Sequence, residues 1–143
     1  MAWVNSIYQN TGIDIPFPII ADRTGEIARL YGMFSPDVSI QDTVRNVYFI
    51  DPNQIIRAIT IYPLTNGRNI YEILRLIDAL QITDRDKVLT PANWLPGNPT
   101  LVPPPRTYDD LKIRQNNPES INLSCEDWYM CYTKPEQQML TEQ

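Results

Sequence analysis

The 143-residue chain has no histidine and only two cysteines, Cys125 and Cys131. Lacking histidine, it lacks the commonest general base and the commonest zinc ligand, which excludes Ser-His-Asp, Cys-His and HExxH chemistry. Two thiolates alone cannot complete a tetrahedral zinc site, and five intervening residues are neither a CxxC redox spacing nor a zinc knuckle. No metal or other cofactor is therefore implied. Runs of lysine or arginine are also missing, and 17 acidic residues stand against 12 basic ones for a formal charge of -5. Such a surface has little with which to neutralise a phosphate backbone, so nucleic acid is not an expected partner. No stretch approaches the roughly 18 consecutive apolar residues of a membrane helix. The opening "MAWVNSIYQN" lacks the basic and then apolar layout of a signal peptide. The expectation is a cytoplasmic protein with no membrane partner, and two cysteines are too few for a secreted disulfide scaffold. Any chemistry must run on Cys, Arg, Asp, Glu, Lys, Tyr, Ser or Thr.

What is present divides the chain. Eight of the 13 prolines follow residue 90, with "VPPP" at 102–105. This predicts a packed α/β unit followed by an extended, loop-rich arm, the change falling near residues 82–90. In the first part, Trp3, Val4, Ile7 and Tyr8 recur at helical spacing, and Thr11-Gly12 supplies a stop. "FPIIAD" (17–22) reads as a short strand. Thr24 then stands where an N-cap would open "GEIARLYG", in which Ile27, Leu30 and Tyr31 share a face and Gly32 ends the helix. "TVRNVYFID" and "IIRAITIY" are β-branched and aromatic runs joined by "DPNQ", a hairpin whose turn is preset by Pro52 and where Asn53 tolerates a left-handed backbone. Ile70, Ile73, Leu74, Ile77 and Leu80 form one stripe, and Asn69 with Glu72 occupies the positions of a capping box, which predicts a helix over 69–81.

Few of these residues carry chemistry. Arg45 lies inside the first hairpin strand on the face of Val47 and Phe49, and its guanidinium must meet an anion or reach water. A structural ion pair and an anion- or thiolate-stabilising role both fit. Arg68 follows Gly67 at a strand-to-helix junction, where a cation beside a helix N-terminus suits an anion. Cys125 and Cys131 are either inert thiols in an aromatic-rich tail or an exchange pair that resolves a sulfenic acid or disulfide formed elsewhere.

Taken in order, "PFPIIAD", "IARLYGM", "TVRNVYFIDPN", "IRAITIYPLTNGRN", "EILRLIDALQ" and "TPANWLPG" resemble peroxiredoxins of the one-cysteine type and their longer archaeal and bacterial thioredoxin-peroxidase relatives. The tail "CEDWYMCYTKP" is similar to the segment that ends those longer members. The resemblance implies a fold, α/β with part of a thioredoxin-like sheet (edge strand, β-hairpin and helices) over 1–86, and then a proline-rich C-terminal extension over 87–143 that includes Trp94 and wraps a partner subunit. It implies thiol-dependent reduction of hydrogen peroxide or an organic hydroperoxide, with a thioredoxin-like reductant. Arg45 resembles the arginine that holds the peroxidatic thiolate and Arg68 the supporting one. Cys131 resembles the resolving cysteine, and Cys125 its neighbour, a second thiol.

One part of the family pattern is missing. The peroxidatic cysteine belongs to a Pro-xxx-Thr-xx-Cys motif upstream of everything matched here, and the 143 residues hold no such motif. Pro118, Asn122 and Cys125 share its spacing, but Asn122 stands where a hydroxyl is required. The expectation is thus a fragment that supplies the active-site arginines and the resolving cysteine, is inactive alone, and folds poorly for want of the two central strands. A homo-oligomer formed through the edge strand "IIRAITIY" and the arm is expected. The alternative is a non-catalytic dimerisation or binding module derived from a peroxiredoxin, and a third reading is a thiol switch that closes Cys125 to Cys131.

Overall fold

The computed structural model describes residues 2–35 and 39–133. The chain divides into two compact units, Met1–Asn46 with Ile61–Asn66, and Val47–Thr60 with Gly67–Gln143.

In the first unit, α1 (Ala2–Thr11) forms where the 3.6-residue spacing predicts it. It is closed by Gly12, whose N–H donates to the Tyr8 carbonyl at 2.8 Å and whose φ of 70° is left-handed. The predicted strand at 17–22 does not form. A strand is held by ladder bonds to a neighbour, and no strand among the described residues lies beside this segment, so Phe17 and Ile20 stand exposed. Helix α2 (Glu26–Leu30) follows, but Thr24 does not cap it. The carboxylate of Asp22 does so from outside, accepting the N–H of Ile27 at 3.3 Å and of Ala28 at 2.8 Å. Gly25, at φ 70°, makes the turn between them; a Cβ there would also sit 3.2 Å from the Phe34 ring. Ala28 is the buried residue of α2, while Leu30 is 82% exposed. Strands β1 (Phe34–Ser35) and β2 (Ser39–Thr43) pair antiparallel, a ladder that the sequence pattern did not suggest.

β3 (Arg45–Ile50) and β4 (Ile56–Tyr62) pair with each other as predicted. Five connecting residues can join only antiparallel neighbours. The turn is organised by Asp51, whose carboxylate accepts the N–H of Asn53 at 2.9 Å and of Ile55 at 3.0 Å. The left-handed residue is Gln54 (φ 66°) rather than Asn53, because the Asp51 carboxylate draws the earlier amides inward and leaves the reversal one residue later.

In the second unit, α3 (Ile70–Asp86) begins with the expected cap: the Asn69 side chain accepts the Glu72 N–H at 3.2 Å. The helix continues past residue 81 and ends at Lys87, which is left-handed at φ 55°. Glu72 does not complete the box, because Arg75, one turn on, holds its carboxylate with bonds of 2.6 and 2.8 Å. Arg57 of β4 bonds Asp84 of α3 at 2.9 Å and lies 3.5 Å from Asp51. Between hairpin and helix runs an open groove of about 350 Å³, whose apolar wall includes Val47, Phe49, Ile73, Ile77 and Leu80.

After residue 87 the arm is more structured than its prolines suggest. Trp94, 2% exposed, anchors it: the indole N–H donates to the Asn98 carbonyl at 3.0 Å, and Arg75 donates to the Trp94 carbonyl at 3.2 Å. Helix α4 (Tyr108–Asn116) is capped by Thr107, whose hydroxyl accepts the Asp110 N–H at 3.1 Å. A 3-10 turn (Pro118–Ile121) leads into β5 (Leu123–Asp127), which pairs antiparallel with β6 (Met130–Thr133). Among the described residues the buried apolar side chains are Ala28, Phe49, Ala79, Trp94, Leu123 and Cys131, a thin core for this length.

Candidate functional site

The two cysteines meet. The β5–β6 register sets Cys125 directly opposite Cys131, and the two sulfurs are joined as a disulfide. The short tip, with Trp128 and Tyr129 outside the ladder, brings the strands back over a span that two extended strands can close. The rings of Trp128 and Tyr129 meet edge to face, 5.4 Å between centroids.

The two sulfurs differ in surroundings. β6 is an inner strand, with β5 along one side and residues 100–102 along the other. Val102 N–H donates to the Cys131 carbonyl at 2.9 Å, and Thr133 N–H donates to the Thr100 carbonyl at 2.8 Å. Leu101 in turn exchanges two bonds with Leu89, so Leu89, Leu101, Tyr132 and Ser124 stand in one row. Cys131 has no exposed surface, whereas Cys125, on the outer strand, is partly exposed between exposed Ser124 and Glu126. The carbonyl oxygens of Asp127 and Trp128 lie 3.5 and 3.7 Å from the Cys131 Sγ, placed to accept its S–H once the bond is reduced.

Arg45 opens β3, half-buried, in the first unit. Arg68 lies exposed in the second unit, in the stretch leading to α3. Of the predicted site residues, the fold therefore joins Cys125 to Cys131 directly, and the two arginines fall in separate units. Pro118 and Asn122, the partial match to the peroxidatic motif, are a 3-10 start and a left-handed cap before β5, and Cys125 is committed to the disulfide.

Sequence reasoning missed the support behind Cys131, the strand-like pairing of residues 100–102. Prolines at 103–105 hid it, although they begin only after the last residue that pairs.

Two family models match: the AhpC/TSA family over residues 2–59 and the C-terminal domain of 1-Cys peroxiredoxin over residues 79–116. The chain is 56% identical over 134 residues to peroxiredoxin 2 of Caldanaerobacter subterraneus subsp. tengcongensis, covering 94% of this chain and 60% of the relative. It is 46% identical to the peroxiredoxin of Aquifex aeolicus, covering 94% and 63%. Among solved structures, a mutant of peroxiredoxin 6 of Arenicola marina matches with a TM-score of 0.76 at 35% identity, over 95% of this chain and 64% of that one. A yeast mitochondrial 1-Cys peroxiredoxin, described with its thiol resolving mechanism via glutathione/thioredoxin systems, matches with a TM-score of 0.74 at 35% identity, over 93% and 63%. The chain thus spans less than two thirds of the length of these relatives. With two family models and these relatives agreeing along nearly its whole length, the chain belongs to the peroxiredoxin family.

Proposed function

We propose that this chain serves thiol-dependent peroxide reduction, supplying two arginines and a resolving thiol pair to a peroxidatic cysteine that its own 143 residues do not carry. The observation that supports this reading best is the Cys125–Cys131 disulfide in a chain of this family. In this scheme Arg45 holds the peroxidatic thiolate and Arg68 supports it. The thiolate attacks one peroxide oxygen and becomes a sulfenic acid, and the other oxygen leaves as water or an alcohol after taking up a proton. Once the packing around β6 opens and exposes it, Cys131 of the reduced chain condenses with the sulfenic acid, forming a disulfide and releasing water. Cys125 then attacks the Cys131 sulfur, which forms the Cys125–Cys131 bond and frees the peroxidatic thiolate. A dithiol reductant of the thioredoxin class opens that bond, in the cytoplasm, where such reductants are maintained. The thioredoxin-like part ends near residue 86 in this reading, and 87–143 is the extension, with β4 and the arm as surfaces for a second copy.

The test is a chimera in which the N-terminal portion of the Caldanaerobacter relative, outside the matched 60%, precedes this chain. Peroxide consumption with a thioredoxin system is expected, falling by about a hundredfold or more in Arg45→Ala, where transition-state charge loses its partner. A folded chimera that consumes no peroxide would overturn the proposal. The exposed isoleucines of β4, Ile56, Ile59 and Ile61, favour a second reading, a dimerisation module. Under it, Cys125→Ser and Cys131→Ser leave association intact and peroxide chemistry absent.

A further inference from the structure

We infer that the Cys125–Cys131 disulfide is reduced from one side only: the incoming thiolate attacks Cys125 Sγ, and Cys131 is the sulfur that leaves. The inference takes from the proposed function only that a thiol reductant meets this bond.

Thiol–disulfide exchange requires the nucleophile to approach along the S–S axis from behind the sulfur it attacks, so access behind each sulfur decides the direction. Behind Cys131 there is no approach. It is wholly buried on an inner strand, with β5 bonded along one edge and residues 100–102 along the other. The second barrier is pinned by more than the ladder, since the Thr100 and Thr133 hydroxyls bond each other at 3.0 Å and the Thr133 hydroxyl also accepts the Thr100 N–H at 3.2 Å. Reaching Cys131 from behind therefore requires a local opening of the packing around β6. Cys125 needs no such step, because it lies partly exposed on β5 between two exposed residues.

Leaving-group chemistry works the other way. Cys125, nearer water, would depart more readily as thiolate than Cys131, which is buried and faces the Asp127 and Trp128 carbonyls. A leaving-group difference only scales the rate of a route that is open. Closing off one sulfur to attack removes its route altogether until the ladder opens, so access wins.

The reductant thiolate forms a bond to Cys125 Sγ, the Cys125–Cys131 bond breaks, and its electron pair stays on Cys131, which takes a proton from solvent or the reductant. The resulting S–H can donate to the Asp127 or Trp128 carbonyl, and while it does so its return attack on Cys125 is slowed, since the thiolate is the nucleophile. The mixed disulfide on Cys125 then lasts long enough for a second thiol of the reductant to attack its own sulfur, leaving Cys125 as a thiol and the reductant oxidised.

The oxidised full chain would be treated briefly with limiting glutathione, quenched with N-ethylmaleimide, digested, and each adduct located by fragment-ion mass spectrometry. The expected result is glutathione on Cys125 and maleimide on Cys131, in about tenfold or greater excess over the reverse, because the route through Cys131 is closed in the folded chain. The same reaction in urea should approach an even split, showing that the fold imposes the direction. Glutathione mainly on Cys131, or a native chain that matches the urea control, would overturn the inference. A chimera without peroxidase activity would leave this result standing, so the two ideas fail separately.

Discussion

Arg114, in the last turn of α4, is only 9% exposed, and its Nε and Nη1 have no hydrogen-bond partner among the described residues. A guanidinium stays charged at any ordinary pH, and buried N–H groups without an acceptor cost stability. Arg114→Met keeps the length of the side chain and removes the charge. It is expected to raise the unfolding free energy by on the order of 1 kcal/mol, read by denaturant titration; a loss of about 3 kcal/mol would mean that an anion outside the described residues already holds the arginine. Sequence could flag Arg45 and Arg68 because each stood in a pattern, within a strand or at a helix start. It could not flag Arg114, because burial arises from the packing of α4 with β5 and the 3-10 turn, which no local pattern records. Cys131 is a similar case. Spacing left the thiols open between inert residues and an exchange pair, and only the cross-strand register made them partners.

At the scale of elements, the hairpin and α3 were legible because each satisfies its own backbone and shows a periodic apolar face. "FPIIAD" has the composition of a strand but nothing to pair with, so composition alone misleads there. Helix α4 had a readable start, Thr107 followed by Asp109 and Asp110, but three prolines just before it turned attention to loops. The tie between β4 and α3 yields a pH prediction. Hydrogen bonding and charge from Arg57, aided by Lys87, hold the Asp84 carboxyl below its ordinary value. A carboxyl whose folded pKa is depressed binds its proton first in the unfolded chain. Its contribution is present above the unfolded value of about 4 and is lost as pH falls through the lower folded value. Comparing Asp84→Asn with the parent by thermal midpoint, the parent should be more stable at pH 7 and the two should converge as pH falls below the folded value, where the carboxyl is protonated in both states. Added salt should narrow the gap at pH 7, because Asp84 is more than half exposed.

For the whole molecule, the balance of buried and exposed apolar residues matters most. Leu30 is 82% exposed, and Ile61 and Ile20 are both 66% exposed, while few apolar side chains among the described residues are buried. Such surface is usually covered by another segment or another chain. The purified chain is therefore expected to associate with rising concentration in sedimentation velocity and to bind a hydrophobic dye. A monodisperse monomer that binds no dye would contradict this. No helix among the described residues is long and apolar enough to cross a membrane, so these faces are not accounted for by a membrane-spanning helix. The sequence by itself determined the family, the hairpin, the cap and stripe of α3, and the exclusion of histidine chemistry, because composition, periodicity and motif order are properties of the chain. Tertiary structure alone decided that Cys125 and Cys131 are bonded and that only one of them faces outward. The reason is physical: pairing and burial depend on which strand lies inside which, and the row from Leu89 through Leu101 and Tyr132 to Ser124 is set by contacts between residues up to 31 positions apart, Leu101 with Tyr132.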